Sequence, residues 1–371
     1  MTHFEIVAEH AVLPHACATR ARIVVRDGRI ESVDTNAPSK DARLVSGTLL
    51  PGFVDLQVNG GGGASCAEAT PAALDACARA CLEGGATAFL PTLITTPWNE
   101  LLRQVEAVAR WIESKPKSGA LPLGIHVEGP FLEVAGAHDA DSICDPTEER
   151  IAQLLAAGRG AIRLVTLASS KPGASRATAK LREHGITVAI GHVSNTEGFA
   201  ACVDAGASMA THLFNAMGAI HHRNPGIAGF TLDERRLSCG LIVDGVHVHP
   251  AMLRNAMAVL GHDRAVLVTD ATAAMGMPDG EFLLAQSRVT SKGGVVRDSK
   301  GSLAGSALTM SLAAKNFLAM VPDAGPFTLA RIASANPAAL IGAADYGAIA
   351  VGKRAAFTVL AADGSCSSLT F

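Results

Sequence analysis

The sequence lacks the features that would place the chain in a membrane or on a nucleic acid. No run of apolar residues is long enough to cross a bilayer, and the N-terminal stretch MTHFEIVAEHAVLP has neither a basic start before an apolar core nor a cleavage pattern. The net charge of −3 gives no overall positive field for nucleic acid. We therefore expect a soluble chain that is not exported, with neither a membrane nor a nucleic-acid partner.

Paired cysteines are also missing. The eight cysteines are scattered, with no CxxC motif and no close spacing typical of a disulfide framework. Reduced thiols of this kind are typical of the cytoplasm, which is the location we predict. Cys77 and Cys81 have the i, i+4 spacing of one helix face, but we expect them to pack in an apolar helix and not to bind a metal.

The chain does contain enough apolar residues for a large core. Of its 371 residues, 49% are hydrophobic and 18% are charged, which suits one large α/β barrel with an appendage or two domains. Residues 1–50 differ from the middle of the chain, because they contain two short β-type runs around an Asp27-Gly28 turn. The C-terminal stretch YGAIAVGKRAAFTVLAADGS has the same character, so we expect one β layer built from both chain ends.

After Leu50, eight apolar runs of strand length alternate with amphipathic helical segments. The runs are FVDLQV, ATAFLPTLI, LPLGIHVE, AIRLVTLA, ITVAIGH, ASMATH, SCGLIVDG and RAVLVTD. Eight strand–helix units in succession predict an α/β fold, the TIM-like (β/α)₈ barrel. A doubly wound open sheet is the alternative, and the absence of a glycine-rich phosphate loop after the first strand counts against it.

Two histidines occupy equivalent positions in this pattern. His192 and His212 each follow a short apolar run, and the segment between them predicts a helix that begins at Ser194 or Asn195 and stops at Gly206. Two parallel strands joined by a crossover helix end at the same edge of a sheet. Both imidazoles should therefore emerge on one rim of the barrel.

A carboxylate joins these two histidines. Glu128 ends the run LPLGIHVE directly before a Gly-Pro stop, so it should lie on the same rim. Either histidine alone could equally be a polar residue at a strand end, but two imidazoles and one carboxylate leave a coordination position open on a divalent metal. This set predicts a catalytic metal site. Other polar residues expected at the same mouth are Gln57, Asn59, Thr92, Thr95, Asp244, His247 and Asp270.

Eight short motifs extend the pattern along the chain. PGFVDLQVNG, HVEGPF, GHVSN, ATHLFNAM, NPGIAG, DGVHV, LVTDA and LAGSALTM occur in this order between Pro51 and Met310. Together they resemble the N-acetylglucosamine-6-phosphate deacetylase family of the amidohydrolase superfamily. The resemblance implies a barrel domain over residues 51–343 and a small β-sandwich domain from residues 1–50 and 344–371.

The resemblance implies that Glu128, His192 and His212 hold the metal, the same three residues that the spacing selects. Many amidohydrolases carry an HxH motif after the first strand for a second metal, whereas this chain has QVN there. Amide side chains are poor ligands for zinc or iron. We therefore expect one divalent ion per subunit, Zn²⁺ first, with Fe²⁺ or another divalent ion as the alternative and a weak second site still open.

The resemblance also implies roles for three further residues. Asp270, which ends the eighth run, matches the family's acid/base aspartate, and a strand-end carboxylate is positioned for that role. His138 matches a histidine that helps to hold the amide oxygen or the sugar. Gln57 is expected to form hydrogen bonds inside the active site in place of binding metal.

For a phosphate group the sequence offers three sets of donors. They are Arg223 in HHRNPG, His247 in DGVHV and the backbone N–H groups around Asn215 and Ala216. In the family this arginine reaches across a dimer interface. The resemblance therefore implies a homodimer with Arg223 contributed across the interface.

The activity implied by the resemblance is hydrolytic removal of acetate from N-acetyl-D-glucosamine 6-phosphate, in amino-sugar catabolism or recycling. N-acetylgalactosamine 6-phosphate and an N-acyl amino acid are alternative substrates, although Arg223 and His247 favour a phosphorylated one. A non-catalytic scaffold is the remaining alternative. Such relatives typically lose a metal ligand or the acid/base group. This chain keeps the three expected metal ligands and the acid/base aspartate: Glu128, His192, His212 and Asp270.

Overall fold

A computed structural model describes residues 3–35, 42–117 and 119–370 of the chain. The two terminal segments expected to form a β domain include residues 1, 2, 36–41 and 371, which lie outside the described residues. Within the described ranges, no helix is both long and apolar enough to span a bilayer.

The N-terminal segment forms four strands of a small sheet. They are β1 His3–Val12, β2 Cys17–Arg26, β3 Arg29–Asp34 and β4 Arg43–Pro51. β1 pairs antiparallel with β2 and parallel with β4. The hairpin of β2 and β3 turns at Asp27 and Gly28, whose φ angles are +48° and +74°. Two positive φ angles match the twist of the paired strands and favour the Asp-Gly sequence found here.

Eight parallel strands form the barrel that the apolar runs predict. The strands of this region are β5 Phe53–Val58, β6 Gly60–Gly61, β7 Ala64–Ser65, β8 Ala86–Ile94, β9 Leu121–Pro122, β10 Ile125–Glu128, β11 Ile162–Leu167, β12 Thr187–Ile190, β13 Met209–Ala210, β14 Ser238–Ile242 and β15 Ala265–Val268. The order around the ring is β5, β8, β10, β11, β12, β13, β14 and β15. A parallel bridge between Val58 and Ala271 joins the two ends of this order and closes the ring.

Helices follow most barrel strands. They are α1 Pro71–Glu83, α2 Trp98–Glu113, α3 Glu148–Gly158, α4 Ala174–Glu183, α5 Phe199–Asp204, α6 Gly226–Asp233 and α7 Pro250–Arg264, with short 3₁₀ helices at Cys66–Glu68 and Ala140–Ser142. The hydroxyls of Thr70 and Thr147 cap α1 and α3 by accepting a backbone N–H of the first turn. α2 buries Leu101, Val105 and Val108, the i, i+4, i+7 stripe of an amphipathic helix.

The helix between the two histidines is shorter than predicted. α5 begins at Phe199 and not at Ser194 or Asn195, so this part of the prediction was wrong. The side chains of Ser194 and Asn195 donate hydrogen bonds to the carboxylate of Glu133 instead of capping a helix. A contact about sixty residues away in sequence thus overrides the local capping signal.

A three-stranded sheet that the sequence analysis did not predict follows the eighth barrel strand. Its strands are β16 Gly280–Leu284, β17 Ser287–Lys292 and β18 Val295–Asp298. β17 and β18 pair across Gly293 and Gly294, which both have positive φ angles. The sheet packs against the end of β8 through an apolar cluster: Ile94, Ala274, Leu284, Val289, Val296 and Ala304.

The C-terminal segment returns to the first sheet. It contains α8 Met310–Met320, α9 Pro326–Ala330, a π-helical turn Arg331–Ala335, α10 Asn336–Leu340, β19 Ala356–Leu360 and β20 Cys366–Thr370. β19 pairs antiparallel with β4, which gives a six-stranded sheet in the order β20, β19, β4, β1, β2, β3. The predicted fold class, a TIM-like barrel with a small β-sandwich-type domain built from both chain ends, is confirmed.

The cysteines match the sequence analysis. Cys77 and Cys81 are buried on α1 among apolar side chains. All eight cysteines, each of which falls within the described ranges, are free thiols.

A buried carboxylate joins the first and last barrel strands. Asp55 on β5 accepts hydrogen bonds from the Thr269 backbone N–H at 3.2 Å and from the Thr269 hydroxyl at 2.5 Å, directly after β15. Burial raises the pKa of the Asp55 carboxyl to about 7, because the hydrogen bonds from Thr269 offset only part of the desolvation. The side-chain link between the first and last barrel strands therefore involves a carboxyl group, that of Asp55, which titrates near neutral pH.

Asp55→Asn should change how the stability of the chain depends on pH. Because the pKa of Asp55 is higher in the folded chain than in the unfolded chain, its contribution to stability is largest below about pH 4 and is lost as pH rises through about 7. The asparagine side chain cannot ionise, so the variant should gain stability relative to the wild type over this range, by at most ~1.4 kcal/mol per pH unit. Urea unfolding at pH 5 and pH 7.5 measures the difference, and parallel pH profiles for the two proteins would contradict it.

Candidate metal centre and active site

The polar residues at the strand ends meet in one cavity at the C-terminal mouth of the barrel. The cavity has a volume of about 180 Å³. Residues named from the sequence that line it are Asn59, Glu128, His138, His192, His212, Asn215, Ala216, His247 and Asp270. Gln57 lies behind the lining, where its Nε2 contacts the carboxylates of Glu128 and Asp270.

Three potential metal ligands form a compact triangle. Oε1 of Glu128 lies 3.2 Å from Nε2 of His192 and 3.1 Å from Nε2 of His212, and the two Nε2 atoms are 3.1 Å apart. Ligands held about 2.0–2.2 Å from a zinc-sized ion in a tetrahedral arrangement lie roughly 3.3 Å from one another. The triangle therefore fits one divalent ion. Two imidazoles and one carboxylate are also a donor set found in catalytic sites.

The ring of His192 is oriented by a neighbouring loop. Its Nδ1 donates to the carbonyl of Val134 at 2.8 Å, which leaves the lone pair of Nε2 directed at the triangle. The backbone N–H groups of Glu133 and Val134 both donate to the carbonyl of His192, at 3.0 and 2.9 Å. The loop thus fixes both the backbone and the tautomer of this residue.

The triangle favours positive charge. Burial acts to raise the pKa of the Glu128 carboxyl, but its close contacts with the imidazoles of His192 and His212 outweigh burial and hold the pKa well below its ordinary value. Burial likewise acts to lower the pKa of His212, and its hydrogen bond with Glu128 reverses the shift and raises the pKa. The carboxylate stays ionised, so a cation beside it is stabilised.

Four cavity-lining residues other than glycine have strained backbones: Ala216, with a φ angle of +52°, and three residues with functional side chains. The φ angles are +51° at His192, +26° at His212 and +52° at Asp270. Residues other than glycine rarely adopt positive φ, and each such residue costs on the order of 1–3 kcal/mol. The strain re-aims the side chains at the ends of β12, β13 and β15 toward the cavity, at positions where the surrounding fold enforces it.

Asp270 is fixed by two amide side chains. Its Oδ1 accepts a hydrogen bond from Nδ2 of Asn59 at 2.7 Å and one from Nε2 of Gln57 at 3.1 Å. Burial raises the pKa of Asp270 to about 6, and the charge of Glu128 adds to the shift. A carboxyl group that titrates close to neutral pH can exchange a proton with a substrate.

His138 lies at the edge of the triangle. Its Nδ1 accepts the backbone N–H of Thr95 at 3.3 Å and lies 2.9 Å from the Thr95 hydroxyl. Burial lowers the pKa of His138 to about 3, so the ring is neutral and carries its proton on Nε2. His138 therefore offers the cavity a neutral hydrogen-bond donor.

Another part of the cavity lining holds the residues that were expected from the sequence to bind phosphate. His247 is held by Asp244, whose Oδ2 lies 2.6 Å from Nδ1 of the ring, while Oδ1 accepts the backbone N–H of His247 at 2.8 Å. Asn215 uses its Nδ2 to contact the carbonyls of His212 and Leu213, and it follows the sixth strand together with Ala216. These contacts leave Nε2 of His247 available to the cavity.

Arg223 does not reach the cavity in the single chain. It lies in an exposed turn, where its backbone N–H donates to Nδ1 of His221. Gln57, Thr95 and Asp244 do not line the cavity either, but each contacts a residue that does. Among the described residues that line the cavity, none is an arginine or a lysine.

Two parts of the site were missed from the sequence. Glu133 accepts hydrogen bonds from Ser170 at 2.6 Å, from Asn195 at 2.9 Å and from Ser194, and so joins three loops around His192. No motif marks this residue. The unpredicted sheet contributes Leu284 to the lining, and Leu303, which follows the last strand of that sheet, also lines the cavity. The alternating residues of the sheet and its Gly293-Gly294 turn could have predicted a hairpin here.

Comparison with known proteins agrees with this geometry. The profile of the Amidohydrolase family matches residues 48–368. The N-acetylgalactosamine-6-phosphate deacetylase of Escherichia coli O157:H7 is 34% identical over 335 residues, or 89% of this chain and 87% of the relative. The N-acetylglucosamine-6-phosphate deacetylase of Bacillus subtilis (strain 168) is 32% identical over 369 residues, or 96% and 92%.

A solved structure is similar over nearly the whole chain. It is a mutant of N-acetyl-D-glucosamine-6-phosphate deacetylase from Mycobacterium smegmatis in complex with N-acetyl-D-glucosamine 6-phosphate. The TM-score is 0.93 at 34% identity, covering 99% of this chain and 97% of that one.

These matches confirm the resemblance that the sequence motifs indicated. Together with the cluster of ligand atoms around Glu128, they support a divalent metal at the site. The chain therefore belongs to the amidohydrolase family, in the branch represented by the N-acetylglucosamine-6-phosphate and N-acetylgalactosamine-6-phosphate deacetylases.

Proposed function

We propose that the chain hydrolyses the amide bond of N-acetyl-D-glucosamine 6-phosphate, releasing acetate and D-glucosamine 6-phosphate. The observation that carries this proposal is the triangle of Glu128, His192 and His212 beside the hydrogen-bonded carboxylate of Asp270. The names of the curated relatives and the substrate held by the Mycobacterium smegmatis structure support the choice of substrate.

We assign the metal to Glu128, His192 and His212, and Zn²⁺ is the ion we expect, with Fe²⁺ or another divalent ion as the alternative. The ligand atoms of Glu128, His138 and His192 also form a group, but the distances between them reach up to 4.8 Å, which is wider than in the triangle. In addition, Nδ1 of His138 already accepts the backbone N–H of Thr95, so we do not assign His138 as a metal ligand. A divalent ion at this position would act as a Lewis acid that activates water and polarises the amide carbonyl.

The protein's own groups move the protons. Asp270 takes a proton from the attacking water, and as the carbon–nitrogen bond breaks it returns that proton to the departing amine. Its pKa of about 6 suits both transfers near neutral pH. Nε2–H of His138 donates to the amide oxygen, which gains negative charge as water adds to the carbonyl carbon. Gln57 and Asn59 hold the Asp270 carboxylate in place during both steps.

The phosphate group lies against His247, Asn215 and the backbone N–H group of Ala216, on the side of the cavity formed after the sixth and seventh strands. The backbone N–H of Asn215 itself donates to the carbonyl of His212 at 3.0 Å. We propose that Arg223 completes this site from a second copy in a homodimer. Its turn is exposed, and the nearby Ile220 and Met252, which line one surface pocket, expose 43% and 38% of their surface, which supports an interface there. A planar guanidinium matches phosphate oxygens well.

The remaining assignments are proposals of the same kind. N-acetyl-D-galactosamine 6-phosphate is the second candidate substrate, because curated relatives carry that name at 34% and 35% identity. The free cysteines support a cytoplasmic location. We divide the chain into a catalytic domain, residues 51–343, and a small β domain, residues 1–50 and 344–371. The chain leaves the small sheet at Pro51, where β4 ends, and re-enters it at Ala356, where β19 begins.

Acetate release from purified protein tests the proposal. N-acetyl-D-glucosamine 6-phosphate should be hydrolysed with a higher kcat/KM than N-acetyl-D-glucosamine, and N-acetyl-D-galactosamine 6-phosphate serves as the epimer control. Treatment with a chelator should abolish activity, and added Zn²⁺ or Fe²⁺ should restore it at about one ion per subunit, because the chain offers one compact triangle of ligands. Metal-loaded protein that releases no acetate from any of the three sugars would overturn the proposed function.

Asp270→Asn should lower kcat about 10²- to 10⁴-fold while the metal content stays unchanged, because the substitution removes proton transfer but keeps the shape of the side chain. Metal content is measured on the same protein used for the kinetics. Asp263→Asn is the matched control, since Asp263 is exposed and, among the described residues, its ion-pair partners His262 and Arg331 lie away from the cavity. Near-normal kcat in the Asp270 variant would remove this residue from the proton transfer.

Arg223→Ala should raise KM for the phosphorylated sugar and leave slow hydrolysis of the unphosphorylated sugar unchanged, with Arg235→Ala as an exposed control.

Mixing subunits tests whether Arg223 acts across the interface. A dimer of one Arg223→Ala subunit and one Asp270→Asn subunit contains one complete site, so random mixing of these variants should restore roughly a quarter of wild-type activity. No recovery in dimers shown to have exchanged subunits would place Arg223 in its own chain's site or in none.

A further inference from the structure

The cavity has a polar side and an apolar side that face each other. In a closed ring of eight strands, the second strand lies opposite the sixth. The second strand, β8, ends at Ile94, whereas Asn215 and Ala216 follow the sixth strand, β13. Asn215 and Ala216, two of the residues proposed to bind phosphate, therefore lie across the cavity from Ile94, and His247 follows the adjacent seventh strand.

An apolar wall is built on Ile94. We use this name for Ile94, Leu284 and Leu303, which all line the cavity. Leu284 is 4% exposed and packs in one apolar cluster with Ile94, and Ala137 packs against the same cluster. The next residue back along β16, Leu283, is 47% exposed, because successive side chains of a strand point to opposite faces.

The wall adjoins the group proposed to hold the amide oxygen. Ala137 directly precedes His138, and Ile94 directly precedes Thr95, whose N–H and hydroxyl contact Nδ1 of the His138 ring. The backbone segments that carry the wall therefore also carry the contacts that hold His138.

The chemistry of the substrate places its acyl chain on this side. The carbonyl carbon of an N-acyl sugar carries the sugar nitrogen on one side and the acyl chain on the other. When the sugar extends toward His247 and Asn215, the acyl chain must extend away from them. We propose that the apolar wall is the acyl-binding subsite and that Leu284 limits the substrate to a short N-acyl group. This inference rests on the function proposed above and names a specificity-determining residue for it.

The expected size of the effect follows from the chemistry of apolar pockets. One methylene that a pocket accepts or rejects changes kcat/KM about 10- to 200-fold. A leucine side chain closes the wall, so replacing it with alanine should open room for one or two further methylenes. A larger side chain at the same position should close the subsite further.

Leu284→Ala is tested with the N-acetyl, N-propionyl and N-butyryl derivatives of D-glucosamine 6-phosphate. The wild type should prefer acetyl, and in the variant the kcat/KM for butyryl relative to acetyl should rise about ten-fold or more. Leu283→Ala is the matched control on the exposed face of the same strand and should keep the wild-type ratio. Leu284→Phe should shift preference in the opposite direction, toward N-formyl over N-acetyl.

A ratio of two kcat/KM values does not depend on the fraction of folded enzyme, so partial unfolding of the small sheet does not affect the result. Leu303→Ala, which lies outside that sheet's strands, is the second variant and should also favour the longer acyl chains. Acetyl hydrolysis with unchanged acyl ratios in the Leu284→Ala and Leu303→Ala variants would overturn the acyl subsite and leave the proposed function standing. Absence of acetyl hydrolysis in the wild type would overturn the proposed function instead.

Discussion

The ionised carboxylate of Glu128 is buried at the centre of the barrel mouth, and a buried charge is tolerated only when nearby groups compensate for its lost hydration. Here the compensating groups come from three other strands of the ring: Gln57 on the first, His192 after the fifth and His212 after the sixth. No local segment could supply them. The site therefore depends on closure of the whole barrel, and the link from Asp55 to Thr269 is part of the same requirement.

The strain at this mouth has a matching source of stability. Positive φ angles at His192, His212 and Asp270 together cost several kcal/mol by the usual order of magnitude. The apolar core beneath them runs through all eight barrel strands and their helices, and its burial supplies the free energy that offsets this cost. The backbone contacts of Glu133 and Val134 with His192 then hold this residue in one arrangement. The apolar core of the barrel stabilises the strained backbone at the mouth, and the loop at Glu133 and Val134 orients the side chain of His192.

Sequence reasoning reached the parts of the structure that depend on local pattern. The eight strands follow from short apolar runs, and the shared rim of His192 and His212 follows from the geometry of parallel strands. It failed where distant residues decide the outcome: the start of α5 depends on Glu133, which takes the capping side chains of Ser194 and Asn195. The sheet from β16 to β18 was missed for another reason, since its turn signal was present but the barrel pattern did not require it.

The amides at positions 57 and 59 link the proposed number of metal ions to the proposed geometry of proton transfer. In place of two imidazoles, Gln57 and Asn59 each direct an N–H donor at Oδ1 of Asp270. An N–H group aimed at a carboxylate repels a cation from that position and at the same time fixes the carboxylate. One substitution pattern, QVN in place of HxH, thus disfavours a second ion and immobilises the proposed proton carrier. The single-metal site that we propose and the fixed aspartate would both follow from the same pair of side chains.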